Sequence, residues 1–183
     1  MTSAARGVAA LVVGDRRAAD HFDLSDRGLI GSFIAFLVVT GFNAVLPSLL
    51  GATGPTASVF RAVSTVAVLF VFQVAFAGLA LHQLKRLDGL IPYIVADNWA
   101  TFFITIVTGF LAVIGMSGDV MLIFLVIVVL VIEINIARLI VTLPGLQIAI
   151  FLIAQLVGVS IGLLAINVVM PLPPEALEAL TSQ

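Results

Sequence analysis

The sequence predicts an all-α fold, a polytopic membrane helical bundle of about five transmembrane helices. Apolar residues make up 62% of the 183 residues, charged residues only 10%, and the mean hydropathy is +1.28. Apolar segments of about bilayer length recur between clusters of turn-forming residues. Because the longest polar stretches are residues 1–27 and 171–183, no soluble domain of ordinary size fits beside the membrane domain.

Charge and cysteine content narrow the function classes. The net charge is −2 and no basic cluster is present, so we expect the lipid bilayer as a partner and no nucleic acid. A chain without cysteine forms no disulfide, no Cys-ligated metal site and no thiol nucleophile. The motifs of zinc hydrolases, phosphate-binding loops and serine hydrolases are also missing. We therefore expect no enzyme, no catalytic residue, no metal and no cofactor.

The first element is a polar N-terminal tail, residues 1–27, expected on the cytoplasmic side. Within it, residues 4–13 favour a short helix lying on the membrane surface. Asp23 and Ser25 are expected to cap the first span, which is predicted to stay uncleaved because residues 8–13 are too short for a signal-peptide core.

The membrane domain, residues 28–170, is divided by turn residues at four places. The third span is short unless it begins near Tyr93, and two alternatives remain open. If residues 90–95 re-enter the membrane, the chain has six spans. If Pro144 only kinks a helix, the chain has four. The predicted spans are residues 28–50, 62–84, 100–115, 120–140 and 146–170.

The basic residues predict the orientation of the bundle. With five spans, seven of them lie on the side of the N-terminus and Arg61 alone lies on the other. Since Lys and Arg mark the side that stays cytoplasmic, the N-terminus is predicted inside and the C-terminal tail, residues 171–183, outside. The seven are Arg6, Arg16, Arg17, Arg27, Lys85, Arg86 and Arg138.

Residues 133–138 (EINIAR) interrupt the most apolar part of the chain and form a candidate intramembrane polar site. A buried ionisable residue costs about 2.5–3.5 kcal/mol on insertion scales and usually faces a partner or a pathway. At about 100° per residue, Asn135 and Arg138 share a side and Glu133 faces away. Arg138 is expected to reach the cytoplasmic headgroups.

Glu133 is expected to be neutral or paired, to serve a proton or ion pathway, or to lie at the interface if the span is misplaced. The candidate neighbours of Glu133 are Gln73, His82, Asn43 and Gln155.

Two stripes of small residues predict helix packing. Thr101, Thr105 and Thr108 lie along one face of the third span. Ala154, Gly158 and Gly162 follow each other at four-residue spacing in the fifth span, with Gln155 on the same side. Packing within the chain and a homodimer face both fit this pattern.

The connection between the second and third spans contains the only Tyr and the only Trp, which favours an interfacial segment over residues 90–99. Asp97 and Asn98 are then expected to cap the third helix. His21 and His82 match no metal-ligand spacing and are expected at helix ends.

Residues 22–25 (FDLS) and 92–99 (PYIVADNW) resemble segments of uncharacterised multi-pass inner-membrane proteins of alphaproteobacteria. The five-span plan with a short N-terminal tail is also similar, in architecture alone, to the Yip family of trafficking-associated membrane proteins. These resemblances imply a bacterial inner-membrane location and no known activity.

Two function classes follow. The first is a non-enzymatic membrane component, an assembly or scaffold subunit that forms homo-oligomers or joins other membrane subunits. The alternative is a small transporter or channel subunit with Glu133 in a proton or ion pathway.

Overall fold

The computed structural model describes residues 1–49 and 59–171. Over these residues the chain is helical, without a strand, and five of its six α-helices are long and apolar enough to cross a membrane. The predicted all-α membrane bundle is confirmed. The turn at residues 51–55 and the C-terminal tail beyond residue 171 lie outside the described residues. The helices are α1 Thr2–Val13, α2 Asp26–Leu49, α3 Val59–Gln83, α4 Leu90–Val113, α5 Gly118–Asn135 and α6 Gly145–Val169.

Helix α4 begins ten residues earlier than the predicted third span, which was placed at residues 100–115. Pro92 is compatible with this start, because the first four N–H groups of a helix have no partner within the helix. Asp97 and Asn98 therefore lie inside α4, and the prediction that they cap it is wrong. Residues 90–95 form the first turns of α4 and do not re-enter the membrane separately.

The connection from α5 to α6 is a real break and not a kinked helix. A π-helical turn, Ile136–Ile140, extends α5, and Pro144 stands as the N-cap of α6 in extended conformation. Thr142 has a left-handed backbone with φ of 60°, which is unusual for a β-branched residue. The Arg86 guanidinium holds this turn by donating to the Val141 carbonyl at 2.7 Å and to Thr142 Oγ1 at 2.7 Å.

Two helix pairs dominate the packing, α3 with α6 and α2 with α4. A Cβ atom on Gly158 would lie 2.8 Å from the Phe72 carbonyl oxygen and 2.8 Å from Phe76 Cβ. Gly162 of α6 lies against Phe72 and Leu69 of α3. The two glycines thus let α6 approach α3 closely, and α3 covers this face within the chain.

Helix α1 packs across the end of the bundle against α4 and α5. The short helix expected over residues 4–13 is thus present, and it buries Leu11 completely. Gly14 ends it with a left-handed backbone, φ 73°, and its N–H bonds back to the last turn. Asn135 Nδ2 donates to the Leu11 carbonyl at 2.8 Å, so α5 adds a second donor to a carbonyl that also accepts from the Gly14 N–H at 3.2 Å.

Helix α1, the α3–α4 connection and the α5–α6 connection therefore share one end of the bundle, called here the α1 end. At the opposite end, the Arg61 guanidinium donates to the Pro171 carbonyl at 3.1 Å. Seven of the eight Lys and Arg residues belong to segments at the α1 end, and Arg61 belongs to the other.

Candidate functional site: an intramembrane polar cluster

Five polar side chains from four different helices meet inside the bundle, and we call them the polar cluster. Gln73 and Gln155 each lie ten residues from the helix terminus at the α1 end, which corresponds to a depth of about 15 Å. That depth is about half of a bilayer hydrocarbon core of roughly 30 Å. The polar cluster comprises Gln73 of α3, Tyr93 and Asp97 of α4, Glu133 of α5 and Gln155 of α6.

A hydrogen-bonded chain fixes one side of the polar cluster. Gln73 Nε2 donates to the Tyr93 hydroxyl at 2.8 Å, and that hydroxyl donates to Gln155 Oε1 at 2.6 Å. Tyr93 is fully buried, with its ring edge-on to Phe151 at 5.1 Å between centroids. Because Gln155 Oε1 accepts the Tyr93 hydroxyl, the amide nitrogen of Gln155 points the other way, toward Glu133.

The Asp97 and Glu133 carboxyl groups face each other and lie close enough to interact directly. An ionised carboxylate has only acceptor atoms, so a hydrogen bond between two carboxyl groups requires a proton on one of them. Two carboxyl groups this close do not both ionise, because like charges at short range repel strongly in a medium of low dielectric constant. Their closeness therefore favours a proton on at least one of the two carboxyl groups.

A cavity of about 560 Å³ borders the polar cluster on its α5–α6 side. Glu133 and Gln155 line it, and Gln155 is only 6% exposed. Glu133 Oε2 and Gln155 Nε2 are buried and, within the described part of the chain, complete no hydrogen bond. Buried polar atoms without a partner are rare in proteins and indicate strain, a bound molecule or a functional role.

The structure separates the three residues of the predicted site. Glu133 belongs to the polar cluster, Asn135 is buried against α1, and Arg138 is exposed at the α1 end. The prediction that Asn135 and Arg138 share a side is wrong. The π-helical turn has more residues per turn than an α-helix, so it rotates Arg138 further away from Asn135.

Of the four candidate neighbours of Glu133, Gln155 approaches it and Gln73 lines the same cavity. His82 is exposed at the end of α3, and Asn43 of α2 borders different cavities toward α4. The partner that the sequence reasoning missed is Asp97. Tyr93 and Asp97 are four residues apart and share a helix face, a signal that appears only once α4 is extended back to Leu90.

The threonine stripe lies on the other side of α4. Thr101 and Thr105 border a small cavity shared with α2 and α3. Thr108 donates to the Ile104 carbonyl of its own helix at 2.9 Å. Ala154 of α6 packs against the hydrophobic core.

Neither histidine takes part in the polar cluster. His21 borders a groove near Met1 with Asp20, Asp23 and Arg27. In the part of the chain that the structure describes, no group of three or more His, Asp or Glu side chains is placed to hold a metal ion.

The fold and the polar cluster together define a multi-pass membrane protein with a polar site inside its helical bundle. A scan against protein-family models, a search of curated proteins and a search of solved structures each gave no match. The resemblances to alphaproteobacterial proteins and to the Yip family are therefore supported only in the coarse sense of a multi-pass helical architecture.

Proposed function

We propose that this chain is a small transporter or channel subunit in which the Asp97–Glu133 pair carries an exchangeable proton. The observation that supports this function is the position of the pair, buried inside the bundle about 10 Å from the α1 end and next to a cavity. Ionisable residues inside transmembrane bundles commonly mark ion pathways and proton relays.

The geometry of the polar cluster favours this function over a purely structural role. Helix packing is already provided by the close approach of Gly158 and Gly162 to α3. A structural polar network is expected to satisfy all its members, whereas Gln155 Nε2 faces the Glu133 carboxyl without completing a hydrogen bond to it. A scaffold or assembly subunit, with or without homo-oligomers, stays a prediction that the polar cluster does not require.

The proposed role is non-enzymatic, because exchanging a proton or binding an ion changes no covalent bond of a substrate. We place the chain in the inner membrane of a bacterium, with the α1 end in the cytoplasm. The support for this orientation is the excess of basic residues at the α1 end, seven against one.

Proton flux in proteoliposomes tests the proposal. The purified full chain is reconstituted with a pH-sensitive dye inside, and a potassium diffusion potential drives protons across the membrane. We expect flux for the natural sequence and none for Glu133→Gln. Asp119→Asn is the matched control, since Asp119 is an exposed carboxyl in the first turn of the same helix. Equal flux in Glu133→Gln and Asp119→Asn, or no flux for the natural chain, would contradict the proposal.

A further inference from the structure

We infer that the cavity between α5 and α6 is a binding site for an amphipathic organic cation, an ammonium head group on a compact hydrocarbon body, that enters sideways from the bilayer. This inference rests on the proposed function and names the substrate class of the same site. The cavity is called the α5–α6 cleft below.

The α5–α6 cleft exists because consecutive helices separate. Helix α6 packs mainly against α3 and touches α5 only weakly. The two helices are joined at the α1 end by the short turn before Gly145 and diverge beyond it. A volume of about 560 Å³ lies within the range typical of small-molecule sites, roughly 300–1,000 Å³.

The mouth of the cleft faces lipid and not either aqueous end. Leu130 of α5 and Leu156 of α6 line it, and they are 52% and 66% exposed. Both lie within helices that span the membrane, so a molecule reaching them comes from the hydrocarbon region. The remaining lining residues of the wall are also apolar, namely Leu125, Val126, Val129, Leu152, Ile153 and Val159.

The charge at the base of the cleft selects a cation. Glu133 faces Asp97 and Tyr93 from α4, the amide of Gln155 from α6 and that of Gln73 from α3. None of the residues lining the cleft is Lys, Arg or His, so the described chain brings no positive charge there. An ionised carboxylate in this position lacks a counter-ion, and an ammonium group supplies one.

The hydrogen-bonding atoms match the same ligand. Glu133 lines the cleft, so an ammonium N–H donates to its carboxylate, and the Gln155 N–H faces the same carboxylate and stabilises its negative charge. This inference assigns two protons to the carboxyl pair of the empty site, which is then neutral. When the cation binds, one carboxyl O–H bond breaks and its proton leaves to water, so the occupied site is again neutral. One proton is therefore released for each cation that binds.

Binding of radiolabelled n-octylammonium to the purified full chain in detergent, with a pH dye in weak buffer, tests the inference. We expect saturable binding with equimolar proton release, and n-octanol in excess should not compete. Val129→Trp fills the cleft and should weaken binding by about tenfold or more. Val168→Trp is the matched control, since Val168 is 82% exposed and lies outside the cleft.

The outcomes separate the two proposals. Undiminished binding in Val129→Trp, equal competition by n-octanol, or no binding at all would overturn the cation site. If protons still cross proteoliposomes of the natural chain in that case, the proposed function stands and only this inference fails. If neither binding nor flux is seen, both fail. Crosslinking of a photoreactive group in the cleft to a second protein chain would also overturn the inference, because a partner helix would then occupy the site.

Discussion

The Tyr93 hydroxyl donates a 2.6 Å hydrogen bond to Gln155 Oε1 and so joins the first turns of α4 to the middle of α6. This bond decides which end of the Gln155 amide faces Glu133. With its oxygen occupied by Tyr93, Gln155 presents an N–H to the carboxyl pair. A fully buried tyrosine outside the carboxyl pair therefore sets the polarity of the site.

Removing that hydroxyl should destabilise the bundle. Tyr93→Phe leaves Gln155 Oε1 with only the weaker contact from Gln73 Nε2 at 3.4 Å, and we expect a loss of about 1–3 kcal/mol. Unfolding in mixed dodecyl maltoside and SDS micelles, followed by circular dichroism, measures it. Thr108→Val is the control, because Thr108 bonds a carbonyl that the helix already uses. Equal losses in the two variants would speak against a special role for Tyr93.

The contact between Asn135 and α1 predicts a local effect. Asn135→Leu removes one of the two donors to the Leu11 carbonyl and the only one from α5, so Thr2–Val13 should exchange its amide hydrogens faster and stability should fall by about 0.5–1.5 kcal/mol. Hydrogen–deuterium exchange with mass spectrometry reads the helix directly. Arg138→Gln, three residues away and exposed, should leave the exchange of α1 unchanged. If both variants behave alike, Asn135 does not hold α1.

The glycines of α6 predict a graded packing effect. Gly158→Ala places a methyl group 2.8 Å from both Phe72 O and Phe76 Cβ, and we expect a loss of about 1–3 kcal/mol. Gly109→Ala is the control, since nothing lies within 4 Å of its added Cβ, and it should be neutral or slightly stabilising. Thermal unfolding in detergent compares the two. A neutral Gly158→Ala would contradict the close packing of α6 on α3.

The turn before α2 predicts a pH effect outside the membrane. The Ser25 hydroxyl and N–H donate to Asp23 Oδ1 at 2.6 and 3.2 Å, and these bonds lower the pKa of Asp23 below its ordinary value of 3.8. Since the folded pKa is the lower one, the contribution of this turn is present above 3.8 and is lost as the pH falls through the lowered pKa.

An NMR titration of the backbone amide at position 25 tests this effect. The midpoint should fall below 3.8 in the natural chain, and Ser25→Ala should bring the Asp23 midpoint back toward that value. A midpoint that Ser25→Ala does not move would show that Ser25 is not the cause.

Local sequence patterns predicted most of the fold. Apolar segments between turn residues predicted the five long helices. The prediction that Ser25 caps the first span is also confirmed, because the Gly28 N–H donates to Ser25 Oγ at 3.4 Å. The start of α4 was misplaced because Asp97 and Asn98 are typical capping residues, and polar residues inside a span imitate its end.

The polar cluster was less predictable, because its contacts join distant parts of the chain. The sequence points to Glu133 because an ionisable residue in an apolar span is energetically unfavourable. Its contact with Asp97, however, depends on how α4 and α5 are rotated against each other. The bond from Asn135 to Leu11 spans 124 residues and leaves no local signal. The same holds for the α5–α6 cleft, which arises because α6 packs on α3 and not on α5.

The most direct test of a proton held by the Asp97–Glu133 pair is infrared spectroscopy of the reconstituted protein at neutral pH. Exposed carboxyl groups, with ordinary pKa values of about 4, are then ionised, so a C=O band of a protonated carboxyl identifies the buried pair. We expect this band in the natural chain and in Asp119→Asn, and no band in a variant that carries both Asp97→Asn and Glu133→Gln. Absence of the band from the natural chain, or its persistence in the double variant, would contradict the account.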